Sequence, residues 1–185
     1  MAKAREGMAG LRSYPPADMG ALRAVEAAAA SAYFTAWRGL PITWKRAASR
    51  PNPEEWRTFT SRTSLANGHK AKNVNASHPV NAMLNYAYAA LQGQLQVQAV
   101  AEGYDPTLGI MHHGRREAPA YVFDLMEPLR PAVDEAVLRF VLATTFSAGD
   151  FTLREDGVCR LSPQLARRVC ALIGRACQLR WRGAV

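Results

Sequence analysis

The sequence predicts a mainly α fold, a helical domain with one small β-hairpin near the C-terminus. Long stretches rich in alanine and leucine carry apolar residues at helical spacing, and both residues are good helix formers. One short segment, "DFTLREDGVCRLS", instead alternates around Asp156 and Gly157, which is typical of a tight hairpin. Because the chain has 185 residues, we expect a single domain over residues 1–185, with residues 1–17 flexible.

The first helix is predicted after Asp18, a residue type that favours the N-cap position. Within "MGALRAVEAAAASAYFTAW", one apolar stripe recurs at helical spacing and consists of Leu22, Val25, Ala29, Tyr33 and Ala36. Glu26 falls inside this stripe. A carboxylate on a buried face is costly unless a cation pairs with it. Glu26 is therefore either a residue with a special role or one that reaches solvent from the edge of the stripe.

The region after this helix is less regular. The segment "RPNPEEWRTFTSR" offers Asn52 as a cap and Pro53 as the first residue of a short helix. Residues 61–79 are almost free of large apolar side chains and predict an exposed polar loop. Such a loop is longer than a simple connection needs, which favours function or disorder there.

A long helix is predicted from Pro79 to Gly103, in "PVNAMLNYAYAALQGQLQVQAVAEG". Asn81 and Asn85 are four residues apart and share one face of it. These amides are either surface residues or groups that orient a ligand or touch a sugar-phosphate chain.

Two further helices are predicted in the C-terminal half. The first covers residues 119–146 and should kink at its two internal prolines. Asp124 and Glu127 share the face opposite its apolar stripe, which makes them candidates for a site. The second begins after the hairpin and covers residues 163–179.

The composition indicates a basic protein. The formal net charge is +8 and the sequence pI is about 9.9. The guanidinium groups of arginine match phosphate oxygens, so nucleic acid is the first partner to test. The alternative is that the positive charge only keeps the protein soluble. The three cysteines form no C-x-x-C pair, which suits a reducing cytosol. We find no signal-length apolar segment and no stretch that approaches a membrane span, so we expect a cytoplasmic protein.

Three separated residues are candidate metal ligands: Glu26, His112 and Glu127. Two carboxylates and one imidazole can hold a divalent ion and leave positions for water and a phosphate oxygen. This set favours Mn²⁺, tolerates Mg²⁺ and, lacking cysteine, argues against a structural zinc site. Such an ion could polarise a phosphodiester and activate an attacking hydroxyl. On spacing alone, the alternative is a scatter of glutamate and histidine residues without a joint role.

Three segments, "VNAMLNYAYAAL", "GYDPTLGIMHHG" and "FDLMEPLRPAVDEAVLRFV", together resemble the CRISPR-associated endonuclease/integrase that captures new spacers, the universal first Cas protein. That family carries the motifs N-x-x-L-N-Y-x-Y, G-x-D-P-x-x-G-x-x-H and D-L-M-E-x-x-R-P-x-V-D in this order. The earlier "VEAAAASAYFTAW" resembles a family helix in which a glutamate precedes a run of small residues. The similarity covers roughly residues 20–165. The combination is specific, whereas any one motif alone is not.

The resemblance implies a C-terminal catalytic domain with Glu26, His112 and Glu127 as ligands of Mg²⁺ or Mn²⁺. The family's histidine falls on His112 and not on His113, and Asp124 becomes the accessory catalytic acid. The implied reaction joins a DNA 3′-hydroxyl to a phosphodiester in the CRISPR repeat. Hydrolytic nicking and the reverse reaction would use the same centre.

Basic residues are the candidates for contacts with the DNA backbone. The strongest candidates are Arg115 and Arg116, which flank the site in sequence, and the weaker ones are Lys45, Arg46, Arg62, Lys70 and Lys72. For each of these cations, plain solubility is the alternative reading.

The chain departs from the family at its N-terminus. Family members begin with a β-rich domain that forms much of a homodimer and contacts a second Cas protein, but only residues 1–17 precede Asp18 here. We expect this domain to be missing. Three explanations are open: a truncated chain, a compact stand-alone homologue, or an engineered or ancestral-like minimal core. Branched or duplex DNA and a second copy of the chain are the expected partners, and the second Cas protein is in doubt.

Two alternatives to a DNA endonuclease/integrase stay open. The first is a catalytically weak DNA-binding subunit of an integration complex, which would hold DNA without metal-dependent joining or nicking. The second is a zinc-type hydrolase of a small substrate, which would respond to zinc and show no affinity for DNA.

Overall fold

The computed structural model describes residues 17–45, 52–62, 64–66, 69–71, 76–112 and 118–181, without the side chains of 64–66, 69–71 and 175–181. The predicted mainly α fold is confirmed. The helices are α1 (Met19–Thr35), α2 (Pro79–Ala101), α3 (Ala120–Met126), α4 (Arg130–Ala143) and α5 (Pro163–Trp181). The short strands are β1 (Thr43–Trp44), β2 (Ser64–Ala66), β3 (His69–Ala71), β4 (Thr145–Phe146), β5 (Phe151–Leu153) and β6 (Cys159–Leu161).

Helix α2 is the centre of the core and packs against α3, α4, α5 and β6. The fully buried large side chains around it include Met83, Leu84, Leu91, Val133, Val137, Leu165 and Ile173. Burial of each such side chain contributes roughly 1.5–3 kcal/mol. The core therefore fixes the helices that carry the predicted site residues of the C-terminal half.

The kink predicted in the helix over residues 119–146 is confirmed. A 3₁₀ turn, Glu127–Leu129, separates α3 from α4. Pro128 and Pro131 lie at this bend, where each lacks the N–H that a continuous helix would use. The bend places Glu127 at the corner between two helices.

Helix α1 begins as predicted, because the Asp18 side chain accepts a 2.8 Å hydrogen bond from the Ala21 N–H. The stripe of α1 that contains Glu26 is not buried, which agrees with the alternative in which this carboxylate reaches solvent. No residue of α1 is buried and Glu26 is exposed. The helix is rich in alanine, so it offers little apolar surface to bury against the core.

An aromatic cluster anchors the C-terminal end of α1. Tyr33 and Phe34 pack against the buried Trp37, with ring centroids 5.7 and 5.5 Å from it. Trp37 in turn contacts Phe59 at 6.1 Å. The first turns of α1, which include Glu26, extend away from this anchor.

We predicted a loop throughout the polar segment over residues 61–79, but part of this segment forms a hairpin. Strands β2 and β3 pair antiparallel within it, with Ser64 opposite Ala71. The Asn67-Gly68 dipeptide between them is a strong hairpin signal that the polar composition obscured. The short helix predicted from Pro53 is only a 3₁₀ turn, Glu54–Trp56.

The C-terminal hairpin is confirmed. Strand β5 pairs antiparallel with β6, and Gly157 takes a φ of 77° in the turn between them. This left-handed conformation suits glycine, which has no Cβ to clash with the backbone. Among the described helices, none combines the length and apolar character that a membrane crossing requires.

Candidate metal centre

Asp124 binds both His112 and the backbone that carries it. The Asp124 Oδ1 atom lies 2.7 Å from His112 Nδ1, and Oδ2 accepts hydrogen bonds from the N–H groups of Ile110 and Met111 at 2.6 and 3.1 Å. Burial raises the pKa of Asp124, but these hydrogen bonds outweigh it and hold the pKa below its usual value. An ionised carboxylate only accepts, so Nδ1 carries a proton, and in the neutral imidazole Nε2 then keeps the lone pair that a ligand ion needs.

Gly109 allows the loop that carries His112 to approach α3. A Cβ atom at this position would lie 2.5 Å from the carbonyl carbon of Ala120 and 2.7 Å from its Cβ. Both distances are far below van der Waals contact, so only glycine fits here without a shift of the loop. The family-like G-x-x-H spacing thus has a direct steric cause.

Glu127 completes the described contacts around the imidazole. Its Oε1 atom lies 3.8 Å from His112 Nε2 and 3.2 Å from Arg130 Nη2. Neither contact is a hydrogen bond, the one to His112 being too long, and Oε1 is buried with no hydrogen-bond donor among the described residues. Burial raises the pKa of Glu127, and the charges of Glu26 and Asp124 raise it further against the opposing effect of Arg130.

Glu26 reaches this centre through its charge rather than through a direct contact. The Arg23 Nη2 group, one turn earlier on α1, donates a 2.6 Å hydrogen bond to the Met111 carbonyl and so attaches the helix to the His112 loop. The carboxylate of Glu26 is close enough to raise the pKa of Glu127. In the part of the chain that the structure describes, however, no three potential ligands are already arranged to hold an ion.

The donor set nevertheless fits a divalent cation. The buried Oε1 of Glu127 accepts no hydrogen bond from the described residues and has only its ion pair with Arg130, so a bound cation would offset the cost of burying it. His112 offers Nε2 with its other nitrogen fixed by a carboxylate, which is the arrangement that orients metal-ligating histidines. Glu26 adds a second carboxylate from an exposed helix. Oxygen-rich ligation of this kind suits Mg²⁺ or Mn²⁺.

The predicted DNA-binding residues have different surroundings. Arg62 is half-buried and donates to Asn81 and Asn85, whereas Lys45 is exposed at the surface. All of these residues stay predictions as DNA contacts, and Arg46, Lys72, Arg115, Arg116 and the Lys70 side chain lie outside the described residues.

Two features of the site were missed in the sequence. Arg130 lies three residues after Glu127, a helical spacing that favours an ion pair between them, but we assigned Arg130 no role from the sequence. The buried hydrogen bond from the Tyr88 hydroxyl to Asp134 joins residues 46 positions apart, so no local pattern could have indicated it. Arg130 also stacks over the Tyr88 ring, 5.4 Å from its centroid, and so links the two features.

Comparison with known proteins identifies relatives of this chain. A profile of the family described as CRISPR associated protein Cas1 matches residues 1–174. A CRISPR-associated endonuclease Cas1 of Methanospirillum hungatei is 29% identical over 158 residues, which cover 84% of this chain and 41% of that protein. Another from Pyrobaculum aerophilum is 35% identical over 114 residues, covering 57% of this chain and 38% of the relative.

A solved structure shows the same fold. The chain superposes on a casposase bound to integration product with a TM-score of 0.68 and 21% sequence identity, covering 94% of this chain and 51% of that one. The chain thus spans about two-fifths to one-half of the length of these relatives. Since the family profile matches nearly the whole sequence, the chain belongs to the CRISPR-associated protein Cas1 family.

Proposed function

We propose that the chain is the catalytic part of a metal-dependent DNA endonuclease/integrase. It joins or nicks DNA by phosphodiester transesterification or hydrolysis, as in CRISPR spacer acquisition or in a stand-alone homologue. The observation that carries the proposal is the buried Glu127 oxygen beside the carboxylate-fixed His112, an oxygen that accepts no hydrogen bond from any residue that the structure describes. The membership of the Cas1 family supports the same reaction class.

Each residue of the centre has a distinct role in this proposal. Glu26, His112 and Glu127 hold the cation, and Asp124 fixes the imidazole in the tautomer that leaves Nε2 free. When bound, Mg²⁺ or Mn²⁺ neutralises charge on the phosphodiester and lowers the pKa of the attacking hydroxyl. The positive charge of Arg130 partly offsets the negative charge of Glu127.

Branched or duplex DNA is the proposed partner. The net charge of +8 supports it, and the casposase with the same fold is bound to an integration product. Arg115 and Arg116 are the proposed backbone contacts nearest the site in sequence. A second copy of the chain and a cytoplasmic location are further parts of the proposal that follow from the family resemblance.

A catalytically weak DNA-binding subunit is the second candidate. The exposed position of Glu26, on a helix without a buried residue, favours it. In this case the chain holds DNA, but α1 does not bring its carboxylate to the ion.

A strand-transfer and nicking assay on branched and duplex DNA separates the two candidates. Mn²⁺, Mg²⁺ and Zn²⁺ are compared on the wild type, Glu26→Gln, His112→Ala and Glu127→Gln, and DNA binding is measured separately in EDTA. Glu135→Gln is the matched control, since Glu135 is an exposed glutamate of α4 that pairs with Arg139.

We expect joined or nicked products with Mn²⁺ or Mg²⁺ in the wild type and the control. The three site variants should lose activity by at least about a hundredfold while binding persists, because removal of a group that stabilises transition-state charge has this size of effect. Binding without any metal-dependent product in the wild type would support the second candidate. Activity restored by zinc on a small substrate, without DNA affinity, would overturn both.

A further inference from the structure

The outer face of α2 is an exposed apolar stripe. Tyr86, Val97 and Val100 have exposed fractions of 39%, 73% and 57%, and Ala89 and Gly93 between them are also exposed. These five positions recur at the three- and four-residue spacing that places residues on one face of a helix. A contiguous exposed patch of this kind marks an interaction site, whereas single exposed apolar residues do not.

The stripe also lacks charge. The 23 residues of α2 contain no aspartate, glutamate, lysine or arginine, although the chain has a net charge of +8. DNA binds chiefly through its phosphates to lysine and arginine, and this helix offers neither. Burial of uncharged apolar surface favours another protein surface as the partner.

A cavity of about 450 Å³ opens at the N-terminal end of the stripe, between α2 and β6. Much of its wall is apolar and is formed by Ala76, Ala82, Ala89 and Leu161, and Arg160 also lines it. The alanine side chains are small, which leaves space for an aromatic ring from outside.

Tyr104 is the matching group at the C-terminal end of the stripe, and its side chain is 54% exposed. The N–H groups of Gly103 and Tyr104 bind the carbonyls of Val100 and Ala99. This type of helix end places the residue after the glycine against the last turn. Tyr104 therefore stays alongside α2, and the ring of Tyr121 supports it at a centroid distance of 5.4 Å.

The cavity and Tyr104 are placed symmetrically about Gly93. Ala82 in the cavity wall and Tyr104 are each eleven positions from Gly93, about 16 Å along a helix axis at about 1.5 Å per residue. No described atom lies within 4 Å of a Cβ added at Gly93, so a second helix can approach closely there. A two-fold axis at Gly93 would bring Tyr104 of each copy to the cavity of the other.

The charges at the two ends of α2 favour the same antiparallel arrangement. Arg160 lies at the cavity, whereas Glu102 and Asp105 are exposed at the opposite end, beside the helix C-terminus. In an antiparallel pair, Arg160 of one copy approaches these carboxylates and the negative helix end of the other. A parallel pair would bring like charges together.

We propose that a second copy of the chain docks on this face, with the two α2 helices antiparallel and Tyr104 of each copy in the cavity of the other. The same patch serves both copies, as in the closed two-fold dimers that are common among proteins. The surface belongs to the helical domain and not to the β-rich domain to which the family resemblance attributes much of the homodimer. Association through it requires neither a metal ion nor DNA, so the proposal does not depend on the proposed reaction.

Sedimentation equilibrium in EDTA and without DNA measures the dimer dissociation constant. One helix face with one aromatic ring per copy is small beside the roughly 1,200–2,000 Å² of a standard interface, so we expect a constant in the micromolar range. The wild type is compared with Val97→Glu, Tyr104→Ala and Arg160→Glu. Leu142→Glu is the matched control, because Leu142 is an apolar residue of α4 that is 59% exposed. An unchanged unfolding midpoint in urea shows that each variant folds.

We expect a dimer in the wild type and in Leu142→Glu. Val97→Glu and Tyr104→Ala should each weaken it by at least about tenfold, as changes at central interface residues do. Arg160→Glu should weaken it by about threefold or more, because it places a carboxylate near Glu102 and Asp105 of the second copy.

Gly93→Cys tests the position of the two-fold axis. Under mild oxidation the new cysteine should form a disulfide with the same position of the second copy, since a disulfide requires Cβ atoms roughly 3.5–4.5 Å apart. Gln94→Cys is the control, an exposed position about 100° further around the helix. Peptide mapping by mass spectrometry separates this link from any link to the native cysteines.

A chain that stays monomeric throughout the micromolar range, or a dimer that Val97→Glu leaves unchanged, would overturn the proposal. Equal cross-linking of Gly93→Cys and Gln94→Cys would do the same. A dimer that forms only after DNA is added would show that the copies meet on DNA, which also contradicts docking through α2. None of these measurements uses metal-dependent joining, so failure of this proposal is distinct from failure of the proposed function.

Discussion

Asp124 shows how much of the candidate centre depends on one side chain. Helical spacing predicts that Asp124 and Glu127 share a face. The sequence does not show that Asp124 accepts from two backbone N–H groups and from His112, because these contacts depend on the path of the preceding loop. The residues could therefore be predicted as candidates, whereas the hydrogen bonds that join Asp124 to the His112 loop required the structure.

Gly109→Ala should disturb this loop. The new methyl group would meet the Ala120 backbone, so we expect a loss of about 1–3 kcal/mol in the free energy of unfolding and weaker Mn²⁺ binding. Urea unfolding and calorimetric Mn²⁺ titration measure the two effects. Gly93→Ala is the control, because nothing lies within 4 Å of the added atom on α2. It should gain about 0.5–1 kcal/mol, and equal effects of both changes would contradict the steric account.

Asp134 should make stability depend on pH. Burial raises its pKa from 3.8 to about 6, with partial compensation by Tyr88, Arg62 and Arg130. Between these two values the folded chain binds more protons than the unfolded chain, so the contribution of Asp134 to stability falls as pH rises through this window.

The variant Asp134→Asn removes this titration. The free energy of unfolding of the variant minus that of the wild type should rise by up to about 3 kcal/mol from about pH 4 to about pH 7. Urea unfolding at both pH values measures the difference, in which contributions of other groups cancel. A constant difference between the two proteins would contradict the raised pKa.

Helix α1 carries Glu26, yet none of its residues is buried. Its boundaries and N-cap follow from sequence, because they are set by local propensity and by Asp18. The burial of α1 does not follow from the sequence, because an alanine-rich stripe has the same periodicity whether it faces the core or solvent. The aromatic anchor and the Arg23 contact with Met111 are long-range and leave no periodic signal.

Metal binding should order the first turns of α1. If Glu26 joins the ion, amide hydrogen exchange in α1 slows when Mn²⁺ is added, while exchange in the buried α2 changes little. Glu26→Gln should abolish this protection, and Arg23→Gln should weaken it by releasing the helix from the His112 loop. Hydrogen exchange followed by mass spectrometry measures both. Equal protection in Glu26→Gln would show that Glu26 is not a ligand.

The parallel pairing of β1 with β4 shows a further limit of sequence reading. The paired residues Thr43 and Thr145 lie about a hundred positions apart, and each strand has only two residues. By contrast, the strands of the C-terminal hairpin are close in sequence, and the Asp156-Gly157 dipeptide between them predicts the turn. The local C-terminal hairpin was therefore predictable from the sequence, whereas the long-range pairing of β1 with β4 was not.

At the scale of the whole molecule, the charge of +8 predicts salt-dependent DNA binding. Arg115→Gln/Arg116→Gln should reduce the slope of log affinity against log salt concentration by about 1.8 on duplex DNA, which is about 0.9 for each lost phosphate contact. Arg139→Gln, an exposed arginine paired with Glu135, is the control and should leave the slope unchanged. Fluorescence anisotropy over a salt series measures both slopes. An unchanged slope in the double variant would remove these arginines from the DNA path.

The anomalous scattering of Mn²⁺ in crystals of the chain is the most direct measurement of the central claim. The account predicts one strong peak within coordination distance, about 2.0–2.3 Å, of carboxylate oxygens of Glu26 and Glu127 and of His112 Nε2. That result would require α1 to approach the corner between α3 and α4. A peak elsewhere, or the absence of bound Mn²⁺ at millimolar concentration, would contradict a shared ion and with it the enzymatic proposal.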